Sequence, residues 1–208
     1  MQKGRIVLVG LLVIVLVVIS VYNYIHYGII VENQEFIYDL KKKSDLEIGQ
    51  MEALKECRAY EIFLNGTSIN ADASVLDIYG CKKNISKIVT DNMLILRYSE
   101  MNCDVCVDSL ISKLNLYMDS VGIENIALFT TSQNKGYIRR FKKVNKIKFD
   151  IYDIGLKLDS VLTDIGVPYF FVLSRNRRVN NMFVPQSEYI DLTDKYLHSI
   201  YMKYWMNL

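Results

Sequence analysis

Two cysteines separated by two residues are the side chains of this sequence best suited to chemistry. Cys103 and Cys106 lie between a short apolar run, residues 93–98, and a segment, 107–118, whose apolar residues recur at helical spacing. At the start of a helix, unpaired backbone N–H groups and the helix dipole favour a negatively charged sulfur, and the thiolate is the form that attacks a disulfide. A cysteine three residues later lies on the same helix face and can resolve a mixed disulfide. The spacing therefore suits reversible dithiol–disulfide exchange.

Two other interpretations of a CxxC pair stay open, half a zinc site and two inert core thiols. Structural zinc usually has four ligands. The chain offers only Cys57, Cys81, His26 and His198 as further ligands, and none of them forms a second CxxC or a His pair. We therefore expect no metal and no cofactor, whereas inert thiols remain an alternative because free cysteine packs well in a core. Cys57 and Cys81 could pair with each other, but their positions favour unpaired thiols.

Hydrophobic patterning predicts the elements that position the cysteines. Apolar or alternating runs predict strands at 75–79, 93–98, 125–131, 147–154, 169–173 and 179–184. The last two strands are joined through Arg175-Asn176-Arg177, which has the spacing of a hairpin. Helices are predicted at 107–118, within 135–148, at 159–165 and within 189–204. This order of elements predicts an α/β domain with a mixed sheet.

The N-terminal segment is long and apolar enough to cross a membrane. Residues 6–31 contain no Asp, Glu, Lys or Arg, and a bilayer core needs about 20 apolar residues. Lys3 and Arg5 precede the run, so we expect a cytoplasmic N-terminus and an extracytoplasmic domain. No small-x-small cleavage site follows the run, which favours an uncleaved anchor over a signal peptide. The expected division is a cytoplasmic N-terminus 1–5, a transmembrane anchor 6–27, a helical juxtamembrane stalk 28–70 and a domain 71–208.

The juxtamembrane segment has helical signals of its own. Ser44 and Glu47 have the spacing of a capping box, and apolar residues follow at helical spacing. The pattern predicts one or two helices, which either form a free stalk or pack on the domain.

The charge composition limits the partners. With 25 Lys and Arg against 23 Asp and Glu, the formal net charge of +2 gives no support for nucleic-acid binding, so we expect no nucleic-acid partner. We expect contact with membrane lipid through residues 6–27. Residues 135–148 are basic and contain no acid, which fits either an approach to anionic headgroups or, more commonly, a solvated helix face.

A proline later in the chain completes a larger pattern. Pro168, one of only 2 prolines, stands directly before the strand at 169–173. A strand, a CxxC pair and a helix, followed by a proline before the next central strand, resemble the thioredoxin superfamily. The anchor, the strand-turn segment 75–89 and the extra αβ unit 133–154 are similar to the membrane-anchored TlpA/ResA group. The resemblance covers about residues 72–206.

This resemblance implies both a fold and roles for individual residues. The implied fold is a thioredoxin-like mixed sheet flanked by helices, preceded here by the transmembrane helix and the stalk. Cys103 is the implied attacking thiol and Cys106 the resolving one. Val167 and Pro168 are expected to be joined by a cis peptide bond, to lie against Cys103 and to shape the substrate groove.

The chain departs from the family inside the motif. Trp usually precedes the first cysteine and Pro stands between the two, whereas this chain has Asn102 and Asp104-Val105. Glu100 and Asp104 bring negative charge near Cys103, which opposes thiolate formation and favours a reducing couple. A peroxiredoxin-type peroxidase is not favoured, because the Ser or Thr and the Pro of that family are not at their usual places before the reactive cysteine.

The sequence therefore predicts a membrane-tethered, reductase-like thiol–disulfide oxidoreductase. Its expected partners are thiol- or disulfide-containing envelope proteins, and its expected location is the inner membrane, spanned once. The alternative is a redox-inactive thioredoxin-fold interaction module anchored in the cell envelope.

Overall fold

The structure is a computed structural model of the 208-residue chain. It describes residues 2–206 except 71, 90, 100, 101, 103, 133, 156, 157, 159, 160, 187 and 188, and it describes only the backbone at 2–9, 104–106 and 190. The chain divides into two compact units, Met1–Lys55 and Glu56–Leu208.

One helix, α1 (Gln2–Leu64), forms the first unit and continues into the second. All side chains described between residues 10 and 55 are exposed. An 18-residue window of this helix has a mean hydropathy of 2.0, so α1 is a candidate membrane span. The helix runs unbroken through Ser44, where the capping-box spacing indicated a start. Continuing a helix adds a hydrogen bond per residue without a second nucleation step, and no proline interrupts it here.

The second unit is built on a seven-stranded mixed sheet with strand order β2-β1-β5-β4-β3-β6-β7. Strands β3, β4 and β5 are parallel, whereas β1 pairs antiparallel with both β2 and β5, β6 with β3, and β7 with β6. The strands are β1 (Ser74–Asp77), β2 (Lys82–Asn84), β3 (Met93–Ser99), β4 (Ile126–Thr131), β5 (Asp150–Asp153), β6 (Tyr169–Leu173) and β7 (Val179–Phe183).

Helices cover both faces of this sheet. They are α2 (Ile85–Ile88), α3 (Asp104–Val121), α4 (Lys135–Val144) and α5 (Ile190–Tyr204), with a short 3-10 turn at Ile123–Asn125. One core cluster joins Leu94 and Leu96 to apolar residues of α3, α4 and α5. The second, on the other face, joins Met93 and Ile95 to the end of α1. The expected α/β class with a mixed sheet is confirmed.

Two predicted details differ from the structure. Residues 161–165, placed in a short helix by the sequence, form a turn and irregular chain, while 155 and 158 are helical. The turn here is held by the Asp164 carboxylate, which accepts the N–H of Gly166 at 2.9 Å, and Gly166 has φ +79°. A left-handed glycine ends helical structure readily.

Residues 56–70, assigned by sequence to the juxtamembrane segment, belong to the second unit. Leu64 and Ile69 are each 2% exposed and lie in the second core cluster. The Glu61 carboxylate accepts the N–H of Val184 at 3.0 Å. Apolar burial and this hydrogen bond make the last turns of α1 part of the folded domain.

Candidate functional site

The CxxC segment lies at the junction between β3 and α3. Strand β3 ends at Ser99, and α3 begins at Asp104 and contains Cys106 in its first turn. The arrangement is the strand–CxxC–helix order that the sequence indicated. Cys103 and Glu100 lie outside the described residues, as do the side chains of Asp104 and Cys106. Their roles therefore stay predictions, and the site is built below from the residues around them.

A tight turn leads from β3 to Cys103. The Asn102 side-chain oxygen accepts the N–H of Ser99 at 2.9 Å, and the N–H of Asn102 donates to the Ser99 carbonyl at 3.0 Å. Both residues are buried, Ser99 at 2% and Asn102 at 6% exposure. The residue that replaces the family's usual Trp therefore serves as an internal brace of the turn.

Pro168 comes to the same end of the sheet. Strand β6 pairs antiparallel with β3 in a register that sets Tyr169 opposite Arg97, so Pro168 precedes β6 beside the last residues of β3. Pro168 is buried and Val167 is 40% exposed. Topology thus brings the proline and the end of β3 together, four residues before Cys103.

The expected cis bond between Val167 and Pro168 is wrong. Among the described residues no peptide bond is cis, and both residues of this bond are described. Trans is the lower-energy form of an X-Pro bond, and the left-handed Gly166 already redirects the chain into β6. The expectation came from the family resemblance, and no local residue pattern required it.

A buried arginine lies beneath the same end of the sheet. Arg97, 2% exposed, interrupts the apolar run of β3 and shares a sheet face with Ser99. Its guanidinium donates to the Tyr98 carbonyl and, at 2.9 Å, to the Thr131 hydroxyl at the end of β4. These bonds tie the carboxyl ends of two parallel strands together.

The Asp164 carboxylate faces this cluster. Partial burial alone raises the pKa of Asp164, but the Ser99 hydroxyl, the Gly166 N–H, the Arg97 charge and the Asn102 amide together hold the pKa below its ordinary value. Neither Ser99 Oγ nor Asn102 Nδ2 forms a hydrogen bond of standard geometry with a described residue. Asp164 is therefore an anion at neutral pH, close to the turn that carries Cys103.

Arg97, Asn102 and Asp164 are site residues that the sequence reasoning missed as a group. The available signal was Arg97, because a charged residue inside an apolar strand must find a partner when it is buried. Asp164 lies 67 residues later, and only the pairing of β6 with β3 brings its loop to this end of the sheet.

The other two cysteines are free thiols in the structure. Cys57 is partly buried at the end of α1 and Cys81 is exposed. Burial, and then the nearby charges of Glu61 and Glu56, raise the pKa of the Cys57 thiol, so it is a poor nucleophile. Within the described part of the chain, no group of His, Cys, Asp and Glu could hold a metal ion.

A separate cleft lies at the opposite end of the sheet. It has a volume of about 690 Å³ and includes Met93 and Ile126, the first residues of β3 and β4. None of the site residues predicted from sequence lines it. The cysteine site is thus an edge of the sheet, as suits an extended protein substrate, and is distinct from this cleft.

Comparison with solved structures identifies the fold. The thioredoxin domain of a thiol-disulfide oxidoreductase from Bacteroides vulgatus is similar at a TM-score of 0.50 and 9% identity, over 64% of this chain and 97% of that one. A Chlorobium tepidum protein assigned as the thiol:disulfide interchange protein DsbE gives 0.52 and 12%, over 66% and 97%. PrxQ of Xylella fastidiosa gives 0.51 and 11%, over 67% and 96%.

These similarities confirm the thioredoxin-like fold. No protein-family model and no curated protein sequence matches the chain. The fold neighbours include thiol–disulfide oxidoreductases and a peroxiredoxin, so the fold is one on which redox chemistry of cysteine is carried out.

Proposed function

We propose that this protein is a membrane-tethered thiol–disulfide oxidoreductase, reductase-like, that acts on disulfides of envelope proteins. The observation that carries the proposal is the position of the CxxC segment. It lies between β3 and the first turn of α3 in a thioredoxin-like fold, at the end of the sheet where Pro168 begins the neighbouring region. Helix N-termini stabilise thiolates, which is the chemical requirement for attack.

In the proposed reaction, the Cys103 thiolate attacks one sulfur of a substrate disulfide. The substrate S–S bond breaks, a Cys103–substrate disulfide forms, and the other substrate sulfur leaves as a thiolate that takes up a proton. The Cys106 thiolate then attacks Cys103, which releases the second substrate thiol and leaves a Cys103–Cys106 disulfide. The substrate gains two electrons, and a protein dithiol donor returns the enzyme to its reduced form.

The direction of the couple follows from charge. Glu100 and Asp104 flank Cys103 in sequence, and Asp164 adds a carboxylate whose pKa is held low by its neighbours. Negative charge raises the pKa of a nearby thiol and destabilises the thiolate. A less stabilised reduced form means a more reducing couple, so the proposed direction is reduction of substrates.

The proposed location follows from α1. The candidate span at 6–27 is preceded by Lys3 and Arg5 and followed by the acidic residues Glu32, Glu35 and Asp39. This asymmetry supports a single pass through the inner membrane with a cytoplasmic N-terminus and an extracytoplasmic domain. Tethering favours partners that are themselves at the membrane.

Insulin reduction tests the proposal. The full chain, purified in detergent micelles with dithiothreitol as electron donor, should accelerate insulin precipitation, and Cys103→Ser should lower the rate at least tenfold. Cys81→Ser, at an exposed cysteine away from the site, serves as the matched control and should keep the parental rate. Equal rates for the parent and Cys103→Ser would instead identify a redox-inactive interaction module.

A further inference from the structure

One helix carries a cationic surface that the proposed chemistry does not use. Helix α4 turns Ile138 and Phe141 into the core, at 4% and 8% exposure. Its outward side and the following loop carry six exposed cationic side chains, which we call the basic face: Lys135, Arg139, Arg140, Lys143, Lys146 and Lys148.

The charges of the basic face are not neutralised within the described part of the chain. None of the six side chains makes an ion pair with a described residue, whereas Lys142, on the same helix, lies 4.0 Å from the Asp150 carboxylate. Seven of the 25 Lys and Arg residues fall between 135 and 148, which leaves 18 to set against 23 acidic residues elsewhere. The positive charge is therefore segregated onto one surface.

We propose that the basic face is a docking surface for the anionic headgroups of a membrane. The cations diverge from a convex helix, which suits a broad surface of anions better than a small ligand that needs converging donors. Val144, 67% exposed among them, adds an apolar contact with the interfacial region. Each cation near an anionic surface contributes about 1 kcal/mol, so several acting together hold a domain.

The choice of a lipid surface rests on the tether in the proposed function. A domain attached to a membrane-spanning helix meets the bilayer at a high effective concentration, so attractions too weak to recruit a free protein suffice to dock it. The basic face then supplies the second signal that stable peripheral contact requires. Docking would hold the cysteine site close to membrane-bound partners.

Lysine footprinting of the full chain in lipid nanodiscs tests this docking. The chain is inserted into discs of phosphatidylcholine alone or with 40% phosphatidylglycerol, treated with uncharged N-hydroxysuccinimide acetate, and analysed by mass spectrometry. We expect Lys143, Lys146 and Lys148 to react at least threefold more slowly in the anionic discs, and 0.5 M NaCl to abolish the difference. Lys82 and Lys87, exposed elsewhere on the domain, are internal controls and should react equally in both discs.

Charge reversal and cysteine variants separate the outcomes. Arg139→Glu combined with Arg140→Glu should remove the protection of Lys146 and Lys148, while Cys103→Ser should leave it intact, so failure of the redox chemistry would not affect this readout. Equal labelling in the two discs would overturn the proposal. Protection that is the same in both discs but depends on protein concentration would also overturn it, because the surface would then bind a second copy.

Discussion

At the residue scale, Asn102 shows how a departure from a family pattern acquires a structural role. Its side-chain oxygen accepts the Ser99 N–H in a turn where both residues are buried. An amide can satisfy a buried N–H that an indole side chain, which only donates, cannot. The turn before Cys103 is therefore stabilised by a hydrogen bond.

We predict that Asn102→Ala lowers the free energy of unfolding by about 1–3 kcal/mol, because a buried N–H loses its acceptor. Urea unfolding of the full chain in micelles, followed by tryptophan fluorescence of the buried Trp205, measures the change. Asn70→Ala is the matched control, since Asn70 accepts the N–H of Asp72 in an exposed turn. Equal destabilisation by the two variants would show that the Asn102 bond is not special.

Asp164 is the second residue whose effect can be isolated. It is an anion near Arg97 and the Asn102 turn. We predict that Asp164→Asn lowers the pKa of the Cys103 thiol by about 0.5, because one negative charge is removed at a distance of several residues. The rate of iodoacetamide alkylation of Cys103 against pH measures this. An unchanged pH profile would remove Asp164 from the account of the redox couple.

The same variant has a stability signature. The pKa of Asp164 is lower in the folded protein than its ordinary value of 3.8, so the carboxylate contributes stability above that pH. The contribution is lost as pH falls through the folded-state pKa. The parent should therefore be more stable than Asp164→Asn at pH 6–7 and the two should converge in strong acid, as measured by urea unfolding.

At the element scale, α1 joins an apolar segment to the folded domain without a break. We predict that Leu12→Arg combined with Val15→Arg moves the chain out of the membrane fraction, since each arginine at mid-span costs about 2.5–3.5 kcal/mol. Leu46→Arg with Ile48→Arg, exposed on the same helix beyond the span, should leave the chain in the membrane. Alkaline extraction of cell membranes measures both, and retention of the first variant would contradict the span.

The end of α1 also stabilises the domain. We predict that Leu64→Ala lowers the free energy of unfolding by about 2–5 kcal/mol, because Leu64 is 2% exposed in the second core cluster. The adjacent Phe63 is 74% exposed, so Phe63→Ala should change stability by less than about 0.5 kcal/mol. Similar losses for the two variants would mean that α1 does not pack on the domain through Leu64.

The elements differ in how far sequence could predict them. β3, β4 and β6 were predicted because buried central strands are nearly continuous apolar runs, as in Tyr169–Leu173. β2, Lys82–Asn84, was missed because its three polar residues show no alternation. Ser44 was misread because a capping box describes a helix start only when the preceding residues are not helical.

At the scale of the whole molecule, the site is assembled by topology. The antiparallel pairing of β6 with β3 brings Pro168 and Asp164 to the end of β3, although more than 60 residues separate them from Asn102. No local pattern encodes that proximity, so the sequence predicted the motif and its order but not the Arg97–Asp164 cluster beneath it. The tether and the basic face would then fix where this site works.

Redox titration of the cysteine pair tests the central claim most directly. In a chain carrying Cys57→Ala and Cys81→Ser, Cys103 and Cys106 are equilibrated with glutathione and dithiothreitol buffers, trapped with acid and counted by mass spectrometry. The account predicts one two-electron transition between dithiol and intramolecular disulfide, closer to thioredoxin at about −270 mV than to DsbA at about −120 mV. Independent glutathionylation of the two cysteines, or a transition near the DsbA value, would contradict it.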